Sequence, residues 1–287
     1  MIPAEFEYRA PATLDEALGL LAATPDAKIL AGGMSLIPAL KHRLAQPPLL
    51  VDIGRIAELE GVSVRGGQVK IGARTTHATL LRHPDLAEAP IFADTASVIG
   101  DVQVRNRGSF GGSLAHADPG ADWPAVFLAL DGEATLAGPK GRRTLRARDF
   151  FVGMMSTALA ADEILTELVL PLETKRAGAA YRKLRQPASG FAVVGVAAQV
   201  ALDRKGRIDR VAIGVTGVNA VPFRALSVEK RLVGQAPDSA ALRALCASVD
   251  EVDAVGDLYA SAEYRAHLCG VFVARAVAEA LARASAA

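Results

Sequence analysis

Hydrophobic spacing along the first 170 residues switches between helical and strand period every few residues. In "TLDEAL" Thr13 and Glu16 make a capping box ahead of an apolar run, which predicts a helix over residues 14–23. "KILAGG" predicts a buried strand ending in a tight turn, and "SLIPALKHRL" resumes with apolar residues at helical spacing. "PLLVDIG" is a second buried strand, and "QVKIGA" a third with alternating character. "THATLLRH" and "PIFADTASVIG" follow as helices. In "DWPAVFLALDG" Asp122 is placed to cap a helix and Pro124 suits its first turn. "EATLAG" and "EILTELVLP" are strands, so the chain is α+β to about Pro171.

The pattern changes across the polar segment "PLETKRAGAA", which has no periodicity. Beyond it "YRKLRQ", "FAVVGVAAQVAL" and "RVAIGVTGV" are strands of rising apolar content. Helices are predicted over about 224–234, 238–249 and 263–284. The last sets Arg275, Glu279 and Arg283 among alanines and valines, as a helix lying on a core does. The simplest arrangement is a three-stranded antiparallel sheet with a helical layer. The expected division is therefore 1–175 and 176–287.

Composition narrows the function. Of 287 residues 51% are hydrophobic and 22% charged, which suits a globular chain with ample core. A net charge of +1 and only 5% aromatics argue against a nucleic-acid surface. The two cysteines, Cys246 and Cys269, are too few and too far apart for an iron–sulfur cluster or a zinc site, and predict reduced core thiols. The five histidines lack metal-ligand spacing; His116 alone sits in a glycine-rich loop, where hydrogen bonding or packing is expected. No run of 18 apolar residues is present, so no membrane span is expected. The N-terminal stretch has no signal-peptide core, which makes cytoplasmic residence the default.

Two turns carry the candidate chemistry, "AGGMSL" at 31–36 and "RGSFGGSLAH" at 107–116. Each sets paired glycines ahead of a serine. Glycine permits positive φ and close approach of another group to the main chain. Successive N–H groups in such a turn form an anion-binding nest, and a helix starting after it adds its free N–H groups. Ser35 and Ser113 are placed to donate to the same anion. Either turn alone could simply link a strand to a helix; together they predict a grip on a pyrophosphate from two sides. Neither the G-x-G-x-x-G dinucleotide fingerprint nor the P-loop G-K-[ST] nor a G-x-S-x-G elbow is present.

The segments "KILAGGMSLIPALKHRLAQPPLLVDIGRI" and "VIGDVQVRNRGSFGGSLAHADPGADWPAVFLAL" closely resemble the FAD-binding medium subunit of the xanthine dehydrogenase and carbon monoxide dehydrogenase family, the molybdenum hydroxylases. The likeness continues through "FFVGMMSTALAADEILTELVLP" and "YRKLRQPASGFAVVGVAAQV", and so covers nearly the whole chain. It implies an α+β fold. A two-lobed FAD domain of the vanillyl-alcohol-oxidase type would be followed by a smaller α+β domain closing over the flavin.

Carried over by motif, Ile29, Leu30, Ala31, Gly32, Gly33, Met34, Ser35 and Leu36 would line one side of a non-covalently held FAD. Ser109, Phe110, Gly111, Gly112 and Ser113 would take the other side of its pyrophosphate. Asp122, Ile99, Leu165 and Lys183 match positions that reach the cofactor in the family, although Asp122 could instead be a helix cap and Lys183 a solvated charge. Relatives often carry glutamine or histidine where this chain has Met34.

The resemblance further implies an oxidoreductase subunit that passes electrons from iron–sulfur clusters to an external acceptor. A large partner would hold the molybdenum cofactor and a small partner two two-iron, two-sulfur clusters, in a dimer of heterotrimers. The alternative is a free-standing FAD-dependent oxidase, dehydrogenase or reductase.

Overall fold

A computed structural model describes residues 1–172, 175–236 and 238–286. The helix predicted over 14–23 spans Leu14–Ala23, started by the Thr13 side chain accepting from Glu16 N while the Glu16 carboxylate takes Ala12 N. Its buried face, Leu14, Ala17 and Leu21, lies on a small parallel sheet ordered Glu7–Arg9, Leu49–Asp52, Lys28–Leu30. The central strand of this sheet is buried, as its "LLV" run requires.

A five-stranded antiparallel sheet follows, ordered Val62–Arg65, Gln68–Gly72, Ile164–Pro171, Glu133–Gly138, Gly141–Arg146. Its inner face packs against the helices Pro90–Ser97, Phe110–His116 and Trp123–Ala129. Trp123, Phe92, Phe110, Phe127 and Phe150 fill that core.

The last part is built on long antiparallel strands Ala177–Arg185, Ala192–Leu202 and Ile208–Thr216. A fourth, two-residue strand, Phe223–Arg224, extends the predicted three-stranded sheet, so the helix expected from 224 begins only at Leu226. The helix Ala262–Ala286 lies across the sheet, approaching closely where Gly178 removes a side chain from its path. The segment expected to part the two halves includes Glu173 and Thr174, which lie outside the described residues.

The two halves are closely joined. Helix Trp123–Ala129 lies on the strand Ile208–Thr216, where any Cβ at Gly214 would run into the Ala125 carbonyl. Thr216 Oγ1 donates to the carbonyls of Pro119 (2.7 Å) and Ala121 (2.8 Å). At the far edge Asp94 of the first half pairs with Arg283 (2.7 Å) and Arg182 (3.7 Å) of the second.

Candidate cofactor site

The fold brings the two glycine turns into contact. Gly32 lies so close to the second turn that a Cβ there would overlap the Arg107 carbonyl. Of the glycines in the two turns, only Gly33 has positive φ (75°). The others serve close approach: Gly108 leaves room for the His77 ring, and Gly111 for Ala73. Gly112 is less crowded; a Cβ there would meet only Ser109 Oγ at 2.7 Å and Ala31 Cβ at 3.9 Å.

The turns are not the equivalent nests that their sequences predict. In the first, the N–H groups of Gly32, Gly33, Met34 and Ser35 make no hydrogen bond among the described residues. Ser35 stands at the head of helix Leu36–Lys41 without its side chain capping it. This turn therefore presents four main-chain donors and a hydroxyl to a ligand, the arrangement an anionic bridge needs. In the second, "FGGSLAH" is itself a helix, Phe110–His116, capped by Ser109 through Gly112 N (3.2 Å). Phe110 N and Gly111 N are already taken by the carbonyls of Thr75 (3.0 Å) and Ala73 (2.9 Å). The second turn offers the half-buried surface of Gly112 and Ser113 rather than a row of free donors.

Beneath that turn lies a histidine that sequence reasoning missed. His77 N donates to the Gly108 carbonyl (3.0 Å), and His77 Nδ1 accepts from Trp123 Nε1 (3.0 Å). Burial, helped by the charge of Arg105, pushes its pKa down to about 4, so the ring is neutral and able to accept. Trp123 in turn packs on Phe110, ring centroids 4.7 Å apart. His116, flagged by its loop, ends helix Phe110–His116 half-buried, with no side-chain hydrogen bond among the described residues. Arg105, just ahead of the turn, donates to Ile99 O at 2.9 Å and Gly100 O at 3.3 Å.

Asp122 and Lys183, 61 residues apart, meet in a buried pair. Asp122 does not cap its helix with its side chain. Its Oδ1 lies 2.8 Å from Lys183 Nζ and accepts from Tyr181 OH at 2.5 Å. Lys183, 3% exposed at the side chain, is not a solvated charge. Burial raises the Asp122 pKa while Lys183 and Tyr181 pull it back down; burial and the Asp122 charge drive the Tyr181 hydroxyl well above its ordinary value. Ile99 adjoins this group, since Lys183 also donates to Val98 O (3.1 Å). Leu165 is core: it is 5% exposed, pairs across the sheet with Leu136 and shares a cluster with Phe110 and Leu114.

A cavity of about 530 Å³ opens between the two halves. Asp118 and Gly120 line one side, and Gln186, Phe191, Val218 and Tyr259 are among those on the other. None of the residues predicted from sequence lines it. Helix Phe110–His116, about 10 Å long at ~1.5 Å per residue, leads from the second turn to Asp118 and Gly120 on the cavity rim.

One turn with free main-chain donors held against a second glycine turn, a helix leading away and an apolar chamber between the two halves suit a protein that holds an extended dinucleotide. Comparison with known families gives FAD as the cofactor. Residues 4–173 match the family described as the FAD binding domain in molybdopterin dehydrogenase, and residues 179–280 match the CO dehydrogenase flavoprotein C-terminal domain. The chain belongs to this family, the FAD-binding medium subunits of molybdenum hydroxylases of the carbon monoxide dehydrogenase type, and is an oxidoreductase subunit.

It is 39% identical over 287 residues to the carbon monoxide dehydrogenase medium chain of Hydrogenophaga pseudoflava, covering 99% of each chain. It is 37% identical over 279 residues to the nicotine 6-hydroxylase medium subunit of Paenarthrobacter nicotinovorans, covering 96% and 97%. Among solved structures, carbon monoxide dehydrogenase from Hydrogenophaga pseudoflava, in a form lacking the Mo-pyranopterin moiety, superposes with a TM-score of 0.94 at 40% identity over 99% of both chains. Quinoline 2-oxidoreductase from Pseudomonas putida 86 gives 0.93 at 31%, over 99% and 100%.

Proposed function

We propose that this chain carries FAD between the iron–sulfur clusters of one partner subunit and an external electron acceptor. The observation that carries the reading is the set of four unpaired N–H groups at Gly32–Ser35, pressed against the second glycine turn. The first turn holds the pyrophosphate from one side, with Ile29, Leu30, Ala31 and Leu36 forming its flank. Ser109–Ser113 close the other side, and Met34, half exposed, contributes its main chain only. Ile99 and Asp122 would lie beside the flavin ring, with helix Phe110–His116 leading from the second turn toward the interdomain cavity. Bound flavin supplies the chemistry of taking electrons singly and giving them up in pairs; the protein binds it, orients it and keeps water from its buried face. In this reading residues 1–175 form the FAD domain and 176–287 the domain that closes over it.

Two isolated buried cysteines cannot supply the four thiolates of even one ordinary two-iron cluster. The clusters and the molybdenum cofactor therefore belong to a small and a large partner, and the assembly is a dimer of such heterotrimers. Among the described residues no helix is long and apolar enough to cross a membrane. The free buried thiols, whose pKa burial raises to about 12, suit a reducing cytoplasm. Reconstitution tests the electron-transfer role. The flavin should be reduced by the substrate of the complex only when both partner subunits are added, while a strong reductant reduces it in the isolated chain. Substrate-dependent bleaching without partners would favour a free-standing flavoenzyme instead.

A further inference from the structure

We propose that Tyr181, Lys183 and Asp122 form a buried clamp between the two halves of the chain, in which Tyr181 and Lys183 are positioning residues that act on the flavin through Asp122. The proposal rests on the FAD reading above. An ammonium has three N–H donors. Those of Lys183 face Asp122 Oδ2 (2.9 Å), Val98 O (3.1 Å) and Gly190 O (2.5 Å), so protein acceptors occupy them all and none is left for a ligand. On Asp122, Oδ1 accepts from Tyr181 OH and lies 2.8 Å from the Lys183 charge without taking one of its donors, whereas Oδ2 accepts from Lys183 alone. A carboxylate oxygen accepts two bonds, so Oδ2 keeps capacity for one donor from a ligand. The Tyr181 hydroxyl reaches Oδ1 because residue 195 is glycine; a Cβ there would occupy the hydroxyl's place.

The clamp does not line the cavity but is bonded to segments that do. Asp122 closely follows Asp118–Gly120 on one wall. The bond to Gly190 O fixes the turn that carries Gln186 and Phe191 on the other. The bond to Val98 O fixes the turn that carries Ile99. The domain contact itself does not depend on this group, because Asp94–Arg283, Asp94–Arg182 and the two Thr216 bonds secure it elsewhere. Removing the Tyr181 hydroxyl should therefore leave the fold in place and free Asp122 to move.

The experiment is an FAD titration, followed by quenching of the single tryptophan, Trp123, on the wild-type chain, Tyr181→Phe, Asp122→Asn, the double variant and Gly195→Ala. Tyr181→Phe and Gly195→Ala should each weaken FAD binding about tenfold or more, the effect of losing a hydrogen bond to a charged group. In the Asp122→Asn background the Tyr181→Phe change should alter the Kd less than about twofold, because its route to the flavin is already cut. Wild-type affinity in Tyr181→Phe, or losses that multiply in the double variant, would overturn the clamp while leaving the FAD reading intact. So would a Tyr181→Phe chain that fails to fold. A wild-type chain that takes up no FAD would overturn the FAD reading itself, and the clamp with it.

Discussion

Gly32→Val should abolish FAD uptake in a chain that still folds. Its β-branched side chain would be driven into the main-chain carbonyl of Arg107, which has no flexible end to yield. The two glycine turns must then part, and the donors at Gly32–Ser35 lose their alignment. Losing two charge-assisted hydrogen bonds at about 1.5–3 kcal/mol each weakens binding by at least two orders of magnitude. Gly19→Ala is the control: nothing lies within 4 Å of its missing Cβ, and it is interior to helix Leu14–Ala23. That variant should bind FAD normally and gain about 0.5–1 kcal/mol of stability. Tryptophan quenching on addition of FAD reads both. Normal quenching in Gly32→Val would mean the joined turns serve another purpose.

Lys183→Met should give the largest loss of stability. It leaves the Asp122 carboxylate fully buried with Tyr181 as its remaining side-chain partner. Removing one partner of a buried ion pair costs about 3–5 kcal/mol, or roughly 10 °C in a chain of this size. The pH dependence fixes the cause. Burial already raises the folded-state pKa of Asp122, and loss of Lys183 raises it further. A carboxyl with a folded pKa above its unfolded value binds more protons when folded, so stability falls as pH rises between the two. The gap between variant and wild type should thus be widest near neutrality and narrow on acidification. Melting curves across pH check this; a gap independent of pH would show that the loss comes from packing rather than from a stranded charge.

The sequence disclosed elements whose stability is local or whose faces are fully buried. Leu14–Ala23 was legible to the residue because Thr13 and Glu16 mark its start. Leu49–Asp52 and Ala192–Leu202 were legible because their apolar runs match complete burial. The strands Glu7–Arg9 and Gly141–Arg146 were not, since almost every residue in them is exposed and no alternation remains to read. Val102–Arg107 buries no residue and so shows no helical face.

In the site, paired glycines announced close approach but not what approaches. For Gly32 it is the Arg107 carbonyl, and for Gly111 it is Ala73. "FGGSLAH" looked like a turn because glycine weakens helices, yet Ser109 caps it and the core holds Phe110 and Leu114. The bonds joining Trp123 to His77 and Tyr181 to Asp122 link residues 46 and 59 positions apart, beyond the reach of any local pattern.

The central claim is that the joined glycine turns hold FAD, and the flavin content of the purified chain tests it most directly. Free FAD should be released by acid or denaturant at about one per chain, from a yellow protein, leaving a colourless polypeptide. A folded chain that carries no flavin and takes none up would contradict the account, and colour that stays with the denatured polypeptide would contradict the non-covalent grip proposed for Gly32–Ser35.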